Sequence, residues 1–197
     1  MLQTLKNAWK LVDLRKKILF TLLIIVIFRI GSHIPVPFVD VDALSNSATT
    51  GGDFFSYLNI LTGGAMNYGA LFAMSVTPYI NASIIIQLLG VAIPALDRLR
   101  KEGEEGQKKL STITRIVAMA IALLQGFGYF MMLSNAGYLN IGSSWFDLIF
   151  AGIVIIACFT AGSALIMWLG EQIDNRGVGN GISIILFAGI LSRAPQA

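Results

Sequence analysis

Five apolar stretches dominate the chain, each set off from the next by charge, glycine or proline. They run from Ile18 to about Ile34, from about Leu71 to Ile93, from Ile113 to Leu133, from Phe146 to Leu169, and from near Gly181 to Ala197. A helix needs roughly 20 apolar residues to cross a hydrocarbon core about 30 Å thick. The pattern therefore predicts an all-α polytopic bundle of five transmembrane helices. The first stretch is expected to stay as an anchor and not to be cleaved as a secretory signal. Arg29 interrupts its apolar run, and Pro35-Val36-Pro37 stands where a small-residue cleavage site would be.

Two departures from a simple repeat of greasy helices carry candidate chemistry. Asp53 to Thr62 reads Asp-Phe-Phe-Ser-Tyr-Leu-Asn-Ile-Leu-Thr, amphipathic but too short to span, and Gly63-Gly64 breaks it from the second apolar stretch. Such a segment lies in the interface, re-enters the membrane or caps something. The second stretch contains Ser75, Thr77, Pro78, Asn81, Ser83 and Gln87, and polar side chains in a span face protein or water because lipid leaves them unpaired. Val76, Ile80 and Ile84 recur every four residues and share one helical face. On pattern alone, ordinary helix packing accounts for such a stripe. Pro78 removes a backbone donor, which predicts a local bend.

Composition agrees with a lipid solvent: 55% of residues are apolar, 13% are charged, and the mean hydropathy is +0.73. The distribution of charge adds an orientation. Lys6, Lys10, Arg15, Lys16 and Lys17 precede the first stretch, and Arg98, Arg100, Lys101, Lys108, Lys109 and Arg115 lie between the second and the start of the third. Residues 31–68 and 134–145 carry no Lys or Arg. The positive-inside rule then predicts a cytoplasmic N-terminus, cytoplasmic loops at 96–112 and 170–180, and an external C-terminal end. The net charge of +3 is thus a topology signal. The basic loop either faces a partner such as a ribosome or is a solvated stop-transfer loop.

The remaining chemistry is sparse. Arg29 costs a few kcal/mol at the bilayer centre unless it pairs or snorkels; near the outer end of its span, snorkelling suffices. Cys158, the single cysteine, reads as packing. His33, the single histidine, has no neighbouring ligand for a metal and reads as interfacial. Gly177-Val178-Gly179-Asn180-Gly181 lacks the preceding strand and the glycine spacing of a dinucleotide loop, and predicts a flexible cytoplasmic turn. With no nucleophile–base pair, intramembrane carboxylate pair or metal spacing, nothing argues for an enzyme, and no cofactor or metal is expected.

Several runs nevertheless resemble the SecY family, in order. They are Phe28-Arg29-Ile30-Gly31-Ser32 with Ile34-Pro35-Val36-Pro37; Thr77-Pro78-Tyr79-Ile80-Asn81-Ala82-Ser83-Ile84-Ile85-Ile86-Gln87-Leu88-Leu89; Lys101-Glu102-Gly103-Glu104 with Lys108-Lys109; Met167-Trp168-Leu169-Gly170-Glu171-Gln172-Ile173; and Arg176 through Ile185. The resemblance covers essentially the whole chain, as the N-terminal half of a channel of ten spans in two pseudo-symmetric halves. It implies a subunit of the bacterial plasma-membrane translocase that conducts secretory proteins and releases membrane proteins sideways. It further implies SecE and SecG subunits, the SecA ATPase, the ribosome, signal sequences and nascent chains, the lipid bilayer and the remaining C-terminal half as partners.

Carried over residue by residue, the resemblance places the pore ring at Val76, Ile80, Ile84, Ile182 and Leu186. The plug falls at Phe54, Phe55, Tyr57, Leu58, Ile60 and Leu61, a polar lateral-gate position at Gln87, and weak partner contacts at Arg100, Lys101, Lys108 and Lys109. Two other function classes stay open: a secondary transporter of small solutes, whose Pro-broken second span would line a midplane site, and a structural fragment without transport activity.

Overall fold

The computed structural model describes residues 11–48, 62–142 and 144–192. The described residues form seven helices and no extended strand: α1 (Val12–Gly31), α2 (Val41–Ala48), α3 (Thr77–Ala92), α4 (Pro94–Lys101), α5 (Glu104–Ala136), α6 (Trp145–Arg176) and α7 (Gly181–Leu191). The chain divides into two compact units: Met1–Pro35, Val41–Ala73 and Leu165–Ala197 form the first, and Val36–Asp40 with Met74–Ala164 the second. The expected segment at Phe54, Phe55, Tyr57, Leu58, Ile60 and Leu61 lies outside the described residues.

In the first unit, α1 buries Thr21, Ile24, Phe28 and Gly31, a single stripe at three- and four-residue spacing. Leu19, Leu22, Leu23, Val26, Ile27 and Ile30 are exposed, as lipid contact allows. Ser32 ends the helix by donating its hydroxyl to the Phe28 carbonyl at 2.8 Å. Residues 62–74 then fold as successive turns with Gly63, Gly64 and Gly69 at positive φ. They return to α1 through Leu71 N–H to the Ile34 carbonyl at 2.9 Å and through Phe72, whose ring stacks on Phe28 at 5.9 Å. Gly31 permits this approach, since a Cβ there would strike the Phe72 ring. α7 buries Gly181, Ile185 and Gly189 at every fourth position.

In the second unit, α3 and α5 pack together. Small residues are buried on both helices, Ala82 on α3 and Thr114, Ala118 and Ala122 on α5, while a Cβ at Gly126 of α5 would make ordinary contact with Ile156 and Thr160 of α6. Ile93 is extended, the conformation favoured before proline, and Pro94 begins α4 at 103° to α3. Gly103 is next, with φ 76° and ψ −142°, a region open essentially to glycine alone. Gly106 allows α5 to start against the Leu99 carbonyl, which a Cβ would strike. α5 closes on Gly137 in the left-handed conformation. Phe159 of α6 meets Tyr129 of α5 edge-on at 4.9 Å.

Several bounds differ from the sequence expectation. The second helix starts at Thr77, not Leu71, because the glycine turns occupy the preceding apolar residues. Pro78 stands in the first turn, where its missing donor is an orphan anyway, so it opens the helix and does not bend it. α6 continues to Arg176, leaving only 177–180 as the loop expected at 170–180. α5 and α6 are each long and apolar enough to cross a membrane, and the bent α3–α4 pair passes the same test jointly. At 33 residues, α5 is about 50 Å long, so its charged first turns reach beyond a hydrocarbon core. α7, expected at 181–197, is an apolar helix of 11 residues among those described.

Candidate functional site

The aliphatic stripe starts at the mouth of α3. Val76 is the N-cap, reached through Ser75, a buried non-glycine residue at φ 49°. Left-handed backbone is costly for a side chain, and here it turns the chain from the glycine turns into the helix. Val76 is 2% exposed and Ile84 50%, with Ile80 half-buried between them. Exposure thus rises along the stripe, from a buried Val76 to an exposed Ile84. Ser75→Val, a β-branched side chain in left-handed backbone, is expected to destabilise by about 1–3 kcal/mol and Ser75→Gly to be neutral or mildly stabilising, read as shifts in the thermal melt of the detergent-solubilised protein.

On α7, Ile182 and Leu186 are half-buried and flank Ile185, which is fully buried. The Ile182 side chain lies over Gly170, where a Cβ would come within 2.7 Å of its Cδ1. Asn180 caps the helix, its Oδ1 accepting from Ser183 N–H at 3.0 Å. The structure therefore places each aliphatic pair on one face of its own helix.

Gln87 is exposed on α3, and its Nε2 donates to Ser83 Oγ at 3.2 Å, so the two polar residues satisfy each other on the open side of the helix. Arg100, Lys101, Lys108 and Lys109 are all exposed on α4 and the first turns of α5. Lys101 is engaged locally, its Nζ 2.6 Å from Asp97 Oδ2, an exposed pair of small energetic weight. Arg29 does not simply snorkel. Its Nη1 donates to the Gly63 carbonyl at 3.2 Å, tying α1 to the glycine turns and giving the guanidinium a protein partner. Among the described residues no cluster of three His, Cys, Asp or Glu side chains could hold a metal ion.

A family model described as SecY matches residues 70–197, a span that holds the stripe of α3, the basic α4–α5 elbow and α7. The chain belongs to the SecY family. It is 42% identical over 205 residues to the protein translocase subunit SecY of Streptomyces galbus, covering all of this chain and 47% of that protein. It is 43% identical over 205 residues to the SecY of Mycobacterium tuberculosis H37Rv, covering 99% of this chain and 46% of that protein. The chain thus spans about half the length of the curated relatives it matches.

In fold it is similar to Sec61 in the canine ribosome–channel complex from the endoplasmic reticulum, with a TM-score of 0.62, 19% identity, and coverage of 93% of this chain and 38% of that one. A second solved structure, described as that of a protein conducting channel, matches with the same TM-score and coverage. Membership in the SecY family makes this an all-helical membrane protein. Sequence reasoning named Ser75 as a polar residue of the second stretch but not its left-handed backbone, which carries no one-residue signal, and missed Thr21, whose partner lies 157 positions away.

Proposed function

We propose that the chain is the N-terminal half of a SecY-type protein-conducting channel, which moves secretory proteins across the bacterial plasma membrane and releases membrane proteins into it. The observation that carries this is the family match over residues 70–197, which contains every residue of the aliphatic set: Val76, Ile80, Ile84, Ile182 and Leu186. These residues form the constriction, because branched aliphatic side chains dewet an empty pore and yield around a passing chain. That the faces on α3 and α7 share one conduit rests on the family resemblance. Gln87 with Ser83 gives the lateral gate a polar position. The Phe54–Leu61 segment is the plug.

Drive comes from the ribosome or the SecA ATPase. SecE, SecG and the remaining five spans complete the assembly around signal sequences and nascent chains. Arg100, Lys108 and Lys109 offer exposed cationic heads for a secondary cytoplasmic contact. The tie between Arg29 and Gly63 gives that intramembrane charge a structural role, which favours the channel over an ion-coupled solute transporter.

Orientation is set by the Lys and Arg asymmetry, with the N-terminus cytoplasmic. Cysteines placed at Ser47 and Gly103, in a Cys158→Ser background, are expected to react with an impermeant maleimide from opposite sides of the membrane. Labelling of both from one side would rule out the orientation. The function is tested by reconstituting the assembled complex in vesicles and measuring protease protection of a secretory precursor. Protection that depends on this chain is expected, and import of a small solute without any precursor protection would reverse the reading.

A further inference from the structure

One hydroxyl joins two parts of the first unit that are far apart in sequence. Thr21 sits on the buried stripe of α1 and is 8% exposed. Its Oγ1 donates to the Lys17 carbonyl at 2.9 Å and accepts from the Val178 amide at 3.2 Å. Val178 belongs to the 177–180 turn between α6 and α7, which the sequence alone presents as flexible. That turn is held at three further points. Asp174 Oδ1 accepts from Gly181 N–H at 2.7 Å, Asn180 Oδ1 accepts from Ser183 N–H, and Gly177 N–H donates to the Ile173 carbonyl at 2.7 Å.

Gly177 explains how the hydroxyl reaches the turn. A Cβ there would stand 2.7 Å from Thr21 Oγ1 and 2.8 Å from the Ile173 carbonyl, so any side chain pushes the turn away from α1. Gly177 and Gly181 therefore serve close approach, and Gly179, at φ 75°, serves a left-handed turn. The first turns of α7 carry Ile182 and Leu186, so whatever fixes the elbow fixes the height and rotation of those two side chains.

We propose that Thr21 is a positioning residue for the pore: its hydroxyl pins the α6–α7 turn to α1 and so holds Ile182 and Leu186 in register. This rests on the channel reading above. A helix tied at its first turn cannot slide or rotate without breaking those hydrogen bonds. A constriction sealed by aliphatic side chains tolerates little rotation before water enters.

The test compares Thr21→Val, Thr21→Ser and Gly177→Ala in the assembled, membrane-embedded protein, with two readouts. Hydrogen exchange across residues 177–181 reports the elbow, and resting ion conductance in a planar bilayer reports the seal. Thr21→Val keeps the shape but loses the hydroxyl, and Gly177→Ala displaces the turn while leaving Thr21 intact. Both are expected to speed exchange of the Val178 amide roughly two- to tenfold and to raise conductance, whereas Thr21→Ser restores both. Thr21→Ala gives the same comparison if the valine variant does not assemble.

Unchanged exchange in Thr21→Val overturns the pin. Faster exchange with a parent-like seal, in a parent that opens for a signal sequence, overturns the positioning role. A parent that never opens overturns the proposal together with the channel reading, and is recognised because the failure precedes any substitution.

Discussion

On the proposed channel reading, Ile80→Asn and Ile182→Asn, each made in the assembled complex, are expected to raise the resting ion conductance by about tenfold or more, because a polar side chain would let water wet an otherwise dry constriction. The same variants should pass precursors with weak signal sequences, since a wet seal no longer resists opening. Both residues are half-buried on the faces they share with Val76 and Leu186. An apolar position facing lipid would respond differently: Asn there lowers insertion or stability by up to a few kcal/mol and leaves no leak. Ile153 on α6 is 63% exposed, and Ile153→Asn serves as that control.

Gly181→Val is expected to abolish assembly or lower the melting temperature by many degrees. A Cβ at Gly181 would strike the Gly170 carbonyl and stand 2.9 Å from Ile173 Cβ. Backbone and a β-carbon cannot swing aside, so the α6–α7 crossing must open. Overpacking of this kind costs about 1–3 kcal/mol even where neighbours can move, and more where they cannot. Gly128→Ala supplies the contrast. Nothing lies within 4 Å of a Cβ there, and alanine in mid-helix is worth about 1 kcal/mol over glycine. Thermal melts of the two variants in one detergent should move in opposite directions. A Gly181→Val protein as stable as the parent would show that the close crossing is not required.

The apolar runs coincide with helices α1, α3, α5, α6 and α7, of which α5, α6 and the bent α3–α4 pair are long and apolar enough to cross a membrane. Bounds failed where backbone chemistry outranked hydropathy. The apolar residues 71–76 are not helical, since Gly63, Gly64 and Gly69 at positive φ and Ser75 at φ 49° hold that stretch in turns. Pro78 looked like a kink and is a start, a distinction that depends on where the helix begins. Four-residue spacing sets Ile80 and Ile84 on one face of α3, where they are half-buried and exposed respectively. Yet a period says only that residues share a face, not whether the face meets lipid, protein or a lumen; the burial of Val76 agrees with ordinary packing at that end of the stripe, and the exposure of Ile84 does not. Pairings such as Arg29 with Gly63 and Thr21 with Val178 join residues 34 and 157 positions apart, beyond the reach of local pattern. The glycine-rich 177–181 run shows the same limit, because glycine serves close approach as readily as flexibility.

In the proposed channel the aliphatic residues of α3 and α7 line the path of a moving polypeptide. Photo-crosslinking residues placed at Ile80, Ile182 and Leu186, and at the exposed positions Leu22 and Ile153 as controls, can be tested against a secretory precursor stalled part-way across the membrane. Strong crosslinks from Ile80, Ile182 and Leu186 to the stalled chain are expected, with the two controls labelling lipid. Crosslinks to lipid from all five positions, with none to the precursor, would contradict that reading.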